Sequence, residues 1–232
     1  MRFLLVLIFL PLPALAGPWP RAQGELYVFT GHEGERDGWS GLYAEYGGPR
    51  SLTFGLDTGG HVIGLASLAA TGVFDIPVDG RVRAFVRIPV LSAGRSDGPD
   101  WLSPWLLAVE VGVGQDFLQT GDRITRYSFG MTVGRGLSTP FGDGWTTLDL
   151  LVAPATGSEA ATRIGVQAVA GVKPTERLTL EMGLFAESQD SSSVTFAPTV
   201  QYGFGKLGDA RVGIAVNDTG ETTVRLGWAR TF

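Results

Sequence analysis

Apolar and polar residues alternate along most of this chain with a period of two, in stretches of about eight to thirteen residues separated by clusters of Gly, Asp, Pro and Ser. A period of two sends successive side chains to opposite faces of an extended strand. In RLTLEMGLFAE, Leu178, Leu180, Met182, Leu184 and Ala186 share one face, while Thr179, Glu181, Gly183, Phe185 and Glu187 share the other. In Val194 to Phe204 the same parity sets Val194, Phe196, Pro198, Val200, Tyr202 and Phe204 against Thr195, Ala197, Thr199, Gln201 and Gly203. The pattern predicts about twelve strands, within a range of 10–14, near residues 25–31, 40–47, 51–58, 81–91, 104–115, 124–135, 144–154, 160–173, 177–188, 193–204, 209–217 and 221–232. If the first strand runs outward, GGPR, SAGRSDGPDWL, GLSTPFGDG, KPTER and KLGDA connect strands at one end. GHEGERDG, the segment 59–80, QDFLQTGDR, ATGSEA, SQDSS and NDTGE then connect them at the other. An even number of hairpin-linked strands returns both termini to the same end.

Two-faced strands fit either a soluble sandwich that buries its apolar face or a membrane barrel that turns it to lipid. The polar face decides between them. It carries Thr, Ser, Ala and Gln with repeated glycines, among them Gly112, Gly114, Gly130, Gly134, Gly165, Gly171, Gly183, Gly203, Gly213 and Gly227. Glycine on a solvent face weakens a strand for no gain, whereas inside a narrow closed cylinder it relieves crowding. The polar face therefore reads as a lumen. Tyr46, Trp105, Tyr202, Phe204, Trp228 and Phe232 all fall near the same strand ends, as an interfacial aromatic girdle requires. The resulting fold class is all-β: a transmembrane, antiparallel, up-and-down barrel.

Composition and the ends of the chain add further constraints. The chain opens with MRFLLVLIFLPLPALA, an arginine followed by a short apolar run and Ala14-Leu15-Ala16, which reads as a secretory signal peptide over residues 1–16 cleaved near Ala16-Gly17. Residues 17–232 form the barrel domain in this reading. No later stretch has the 18 or more consecutive apolar residues of a membrane helix. There is no cysteine, so the fold rests on burial and hydrogen bonding without disulfides. Charged residues make up 18 %, below the roughly 25 % of soluble domains, and lysine occurs only at Lys173 and Lys206. A net charge of −5 argues against nucleic acid as a partner.

The chain resembles the outer-membrane β-barrel proteins of Gram-negative bacteria, in strand pattern and in its last residues. In that class a terminal Phe with apolar residues at alternate positions before it is recognised by the barrel assembly machinery. Val224, Leu226, Trp228 and Phe232 match this assembly signal, and Arg230 departs from it. The resemblance implies a lipid bilayer and that machinery as partners, and the outer membrane as location; it leaves the oligomeric state open.

Fold alone does not fix function. Parity places Glu45, Asp57, Glu110, Asp149, Glu181 and Glu187 in the lumen with Arg83, Arg87, Arg126, Arg163, Arg211 and Arg225, six of each sign. A selective porin shows a bias of one sign. Balance leaves two arrangements open: a paired network that nearly closes the barrel, or opposed ladders that orient small solutes. The expected function is a small porin-like channel for passive passage of small polar solutes, with these twelve residues lining the pore. The alternative is a closed barrel with a structural or surface-interaction role. Segment 59–80 either folds into the mouth or extends its flanking strands. The chain is not expected to be an enzyme. Its two histidines, His32 and His61, lie at strand ends near Ser67, Glu33 and Asp57, but no motif of a lipid-modifying barrel joins them. No cofactor or metal is expected, because HExxH, cysteine clusters and phosphate-binding loops are all missing from the sequence.

Overall fold

The computed structural model describes residues 17–34, 38–61, 79–91, 104–118, 120–156, 160–189 and 191–232. They form twelve long strands and one of two residues: β1 (Leu26–Glu33), β2 (Trp39–Gly47), β3 (Thr53–His61), β4 (Gly80–Leu91), β5 (Trp105–Phe117), β6 (Arg123–Thr139), β7 (Gly142–Ala153), β8 (Ala155–Thr156), β9 (Arg163–Lys173), β10 (Leu178–Ser188), β11 (Ser192–Gly203), β12 (Asp209–Asn217) and β13 (Thr222–Thr231). Every long strand pairs antiparallel with its neighbours in sequence, β7 pairing directly with β9. Short β8 continues β7 beyond Pro154 and pairs with β6 through Thr125 and Thr156. The first and last strands meet from Tyr27↔Thr231 to Glu33↔Arg225, and the sheet closes on itself. Phe232 completes the seam: its N–H donates to the Leu26 carbonyl at 2.8 Å, and the Leu26 N–H donates to the Phe232 carbonyl at 3.2 Å. A closed ring leaves no edge with unpaired backbone groups, the condition for a sheet to stand in hydrocarbon.

The faces are the reverse of those of a soluble protein. Leu180 and Val200 sit opposite each other on β10 and β11 and are 39 % and 48 % exposed, whereas Thr179 and Gln201, the pair next to them, are 6 % and 9 % exposed. Tyr46, Tyr202, Phe204, Trp228 and Phe232 form an exposed band near the end that holds the chain's C-terminus. The Tyr202 and Phe204 ring centroids lie 5.2 Å apart, and the Phe204 ring stacks on Trp228 at 5.9 Å. Arg230 lies 4.4 Å from the Phe232 ring centroid, so its charge reaches the interface while its stem and an aromatic face cover each other.

The expected strands are all present, and the differences lie at their ends. β6 runs on to Thr139 because its glycine-rich end, weak in strand propensity, is held by the register Gly134↔Thr147 to Thr139↔Gly142 with β7. β3 extends to His61, whose N–H donates to the Asp79 carbonyl at 3.2 Å. Both ends of segment 59–80 thus continue as paired strand, and residues 62–78, Ser67 among them, lie outside the described residues.

The inward glycines serve as seats for rings. A methyl group at Gly55 would collide with the Phe85 ring, one at Gly171 with Trp145, one at Gly183 with Phe185, and one at Gly31 or Gly227 with Phe29. Each ring lies flat on the backbone of its own or a neighbouring strand, which a narrow cylinder permits only where the side chain beneath is missing.

Replacing Leu180 or Val200 by Arg is expected to destabilise the barrel by about 2–4 kcal/mol near the bilayer midplane, measured by urea unfolding in lipid vesicles. Tolerance of Arg at these two positions together with intolerance at Thr199 would reverse the assignment of the faces.

Candidate functional site: the charged lumen

Inward rings carry the next layer of the lumen. The Arg83 and Arg87 guanidinium groups lie 4.8 and 5.4 Å from the Phe85 centroid, Arg211 lies 5.3 Å from Phe29, and Arg225 lies 5.3 Å from Phe185. Glycine, ring and arginine therefore stack from the wall inward. The rings hold the guanidinium groups up toward carboxylates on other strands.

The largest charge network runs over β2 to β5. Glu45, fully buried, accepts from Arg87 Nη1 at 2.6 Å, from Arg21 Nε at 2.6 Å and from the Tyr43 hydroxyl at 2.6 Å. Arg87 Nη2 donates onward to Glu110 at 3.0 Å, Arg83 Nη1 donates to the other oxygen of Glu110 at 2.7 Å, and Asp57 lies 3.9 Å from Arg83 and 3.5 Å from Arg81. A second cluster joins Arg126, Asp116, Arg163 and Glu187, with Asp116 2.6 Å from Arg126 and 3.1 Å from Arg163. Arg211 bonds Glu181, and Arg225 bonds Glu33 across the closing seam at 3.0 Å. Asp149 differs from these, accepting a hydrogen bond from Thr132 at 2.5 Å but making no ion pair among the described residues.

These contacts distinguish the two arrangements left open by the sequence. Signs alternate around the wall: acid on β2 and β3, base on β4, acid on β5, base on β6, acid on β7, base on β9, acid on β10. Each inward arginine thus meets a carboxylate at contact distance, and a paired network is formed instead of opposed ladders. Its members enclose a cavity of about 610 Å³ with walls from all twelve long strands. Asp57, Arg83, Arg87, Glu110, Arg126, Asp149, Arg163, Glu181, Glu187, Arg211 and Arg225 border it, while Glu45 lies beneath Arg87 and Arg21, out of reach of the cavity.

Five inward groups escaped the sequence reading. Asp116 and Glu33 share the parity of their strands but fall beyond the expected boundaries, and Arg81, the first residue of its expected strand, was passed over at its end. Tyr43, between Arg87 and Glu45, is signalled by parity but carries no charge to draw attention. Arg21 precedes the first strand, so no periodicity points to it. The histidines sit at the rim: His32 Nδ1 lies 3.0 Å from Ser40 Oγ, and His61 Nε2 lies 3.6 Å from Asp79. Glu33 is engaged with Arg225, and Asp57 with Arg81 and Arg83, so neither expected carboxylate is free to orient a histidine.

No family model and no curated protein matches the chain. Solved structures do. The fold is that of an outer-membrane porin: a KdgM porin superposes with a TM-score of 0.60 at 10 % identity, covering 89 % of this chain and 99 % of its own. A KdgM porin in complex with disordered oligogalacturonate gives the same values. A further structure, from work on the in-meso crystallisation of membrane proteins, gives a TM-score of 0.51 at 12 % identity over 90 % of this chain and 83 % of its own. At such identities the likeness establishes the architecture alone.

Glu45→Ala leaves Arg21 and Arg87 buried without their shared carboxylate, and is expected to cost about 3–5 kcal/mol. Equilibrium unfolding of the folded barrel measures this. Glu187→Ala, half-exposed at the rim, is expected to cost less than about 1 kcal/mol.

Proposed function

We propose that the protein is a narrow outer-membrane channel for passive passage of small polar solutes. The observation that carries this reading is the polar cavity enclosed by a barrel whose outside is apolar. Hydrocarbon supports such a cylinder from without, and charged and hydroxyl groups support water within. Because each guanidinium is already matched by a carboxylate, the lumen has little net field of either sign, and selection falls to size and hydrogen bonding more than to charge. The oligogalacturonate held by the KdgM complex is a polyanion; the paired lumen of this chain favours small neutral or zwitterionic solutes instead. The C-terminal residues support outer-membrane insertion, with Phe232, Trp228, Leu226 and Val224 as the assembly signal on the last strand.

A second reading, a closed barrel with a structural role, draws support from the buried Glu45 network. Conductance separates the two. Purified protein in planar bilayers is expected to show small, nearly non-selective steps, and silence at all potentials would favour the closed barrel. Arg211→Ser combined with Arg225→Ser leaves Glu181 and Glu33 to set the field and is expected to shift reversal potentials toward cations; no shift in a conducting variant would remove both residues from the path. Deleting Phe232 is expected to lower the amount of barrel in the outer membrane with little loss of intrinsic stability, and unchanged levels in cell fractions would refute its role as an address.

A further inference from the structure

The residues before β1 do not trail away from the barrel. A turn at Ala22–Glu25, in which the Glu25 N–H donates to the Ala22 carbonyl at 2.9 Å and Gly24 takes φ +86°, folds the chain back from the start of β1. The Arg21 N–H then donates to buried Thr53 at 3.3 Å while its guanidinium holds Glu45. Pro18 is fully buried against β6, where a methyl at Gly134 would come within 2.9 Å of its Cγ. Gly17 reaches the cavity itself. Its carbonyl accepts from Arg87 Nη1 at 3.0 Å, and a methyl on it would lie 3.1 Å from Thr147 Cγ2. Residues 17–21 thus occupy the lumen beside β2, β4, β6 and β7, and residues 22–24 form an exposed turn at its edge.

Two residues along β7 from Thr147, on the same inward face, stands Asp149. It is the one lumen carboxylate of the six expected from sequence that has no ion-pair partner among the described residues. Among the described residues no cation lies within ion-pair distance of it. Cleavage between Ala16 and Gly17 would make such a group, the α-ammonium of Gly17, on a residue that sits against Thr147 and Arg87. Nearby Arg87 does not compete for Asp149, since its guanidinium is held by Glu45 and Glu110.

We propose that Asp149 is the docking site of the new N-terminus: the Gly17 α-ammonium pairs with its carboxylate and fixes residues 17–21 as an internal plug in the mature barrel. The proposal rests on the reading that the leader is removed before Gly17. While the leader is attached, Gly17 has an amide nitrogen in place of a cation, and Asp149 cannot capture it. Removal of the leader therefore adds an ion pair to a segment that already narrows the lumen, and locks it there after export.

The test compares mature protein beginning at Gly17, D149N, and a form with two extra residues ahead of Gly17, all folded in detergent and checked by unboiled gel migration. Acylation of the α-amine near neutral pH is followed by mass spectrometry, and trypsin cleavage after Arg21 reports the seat of the whole segment. Folded mature protein is expected to acylate at least about tenfold more slowly than in urea and to resist trypsin at Arg21, because reaction requires local opening. D149N and the extended form are expected to lose that protection, and their conductance to exceed that of the mature protein. Prompt acylation of the folded mature protein, or full protection in both altered forms, overturns the proposal. The extended form retains every native residue and so answers even if D149N fails to fold. Protection lost in the altered forms while all three remain electrically silent supports the docking site and refutes the channel.

Discussion

The neutralisation of guanidinium groups by carboxylates on other strands is the interaction on which the rest of this barrel depends. Twelve strands enclose an interior wider than the roughly eight-stranded barrels that side chains fill, but its charged side chains are largely withdrawn from water, and burying a charge without its partner costs several kcal/mol. Alternation of sign between strands solves this locally. Arg87 is held by Glu45 on β2 and Glu110 on β5, and Arg83 by Glu110 and Asp57. The arginine-bearing strand β4 is thereby tied through its side chains to three others in addition to its backbone ladders.

Glycine and aromatic residues make that pairing geometrically possible. Phe85 would stand into the lumen and block it if it rose perpendicular to the wall; by lying over Gly55 it becomes a floor on which Arg83 and Arg87 rest. The same construction recurs with Phe29 beneath Arg211 and Phe185 beneath Arg225. Cation–π attraction supplies a modest increment at each contact, but the larger effect is positional: a long flexible side chain is held in the plane where its carboxylate waits.

Much of this was legible in the sequence, because a period of two is preserved even where strand ends are not. Faces were assigned correctly at Leu180 and Thr179, and eleven of the twelve charged residues expected in the lumen border the cavity, with Glu45 buried beneath Arg87 and Arg21. The partner of each charge was not legible. Arg211 bonds Glu181 across an intervening strand, and Arg163 reaches Asp116 from β9 to β5; both contacts depend on stagger and wall curvature, which alternation does not encode. Arg21 was invisible for a different reason: it precedes the first strand and has no parity to belong to.

The lumen imposes a compromise between stability and passage. Every pair that lowers the cost of burying a charge also brings two long side chains together across space a solute would use. Near the end holding Arg21 and Phe232, Glu45, Arg87, Arg21 and Pro18 are all buried, and packing prevails. Toward the other rim, Arg225, Glu33 and Glu187 are partly exposed, and solvation takes over part of the work of pairing. A gradient of burial thus runs along the axis, and in the proposed channel resistance to flow concentrates where the ion pairs are driest. In the proposed channel, selectivity is accordingly set by the side chains that folding can least do without.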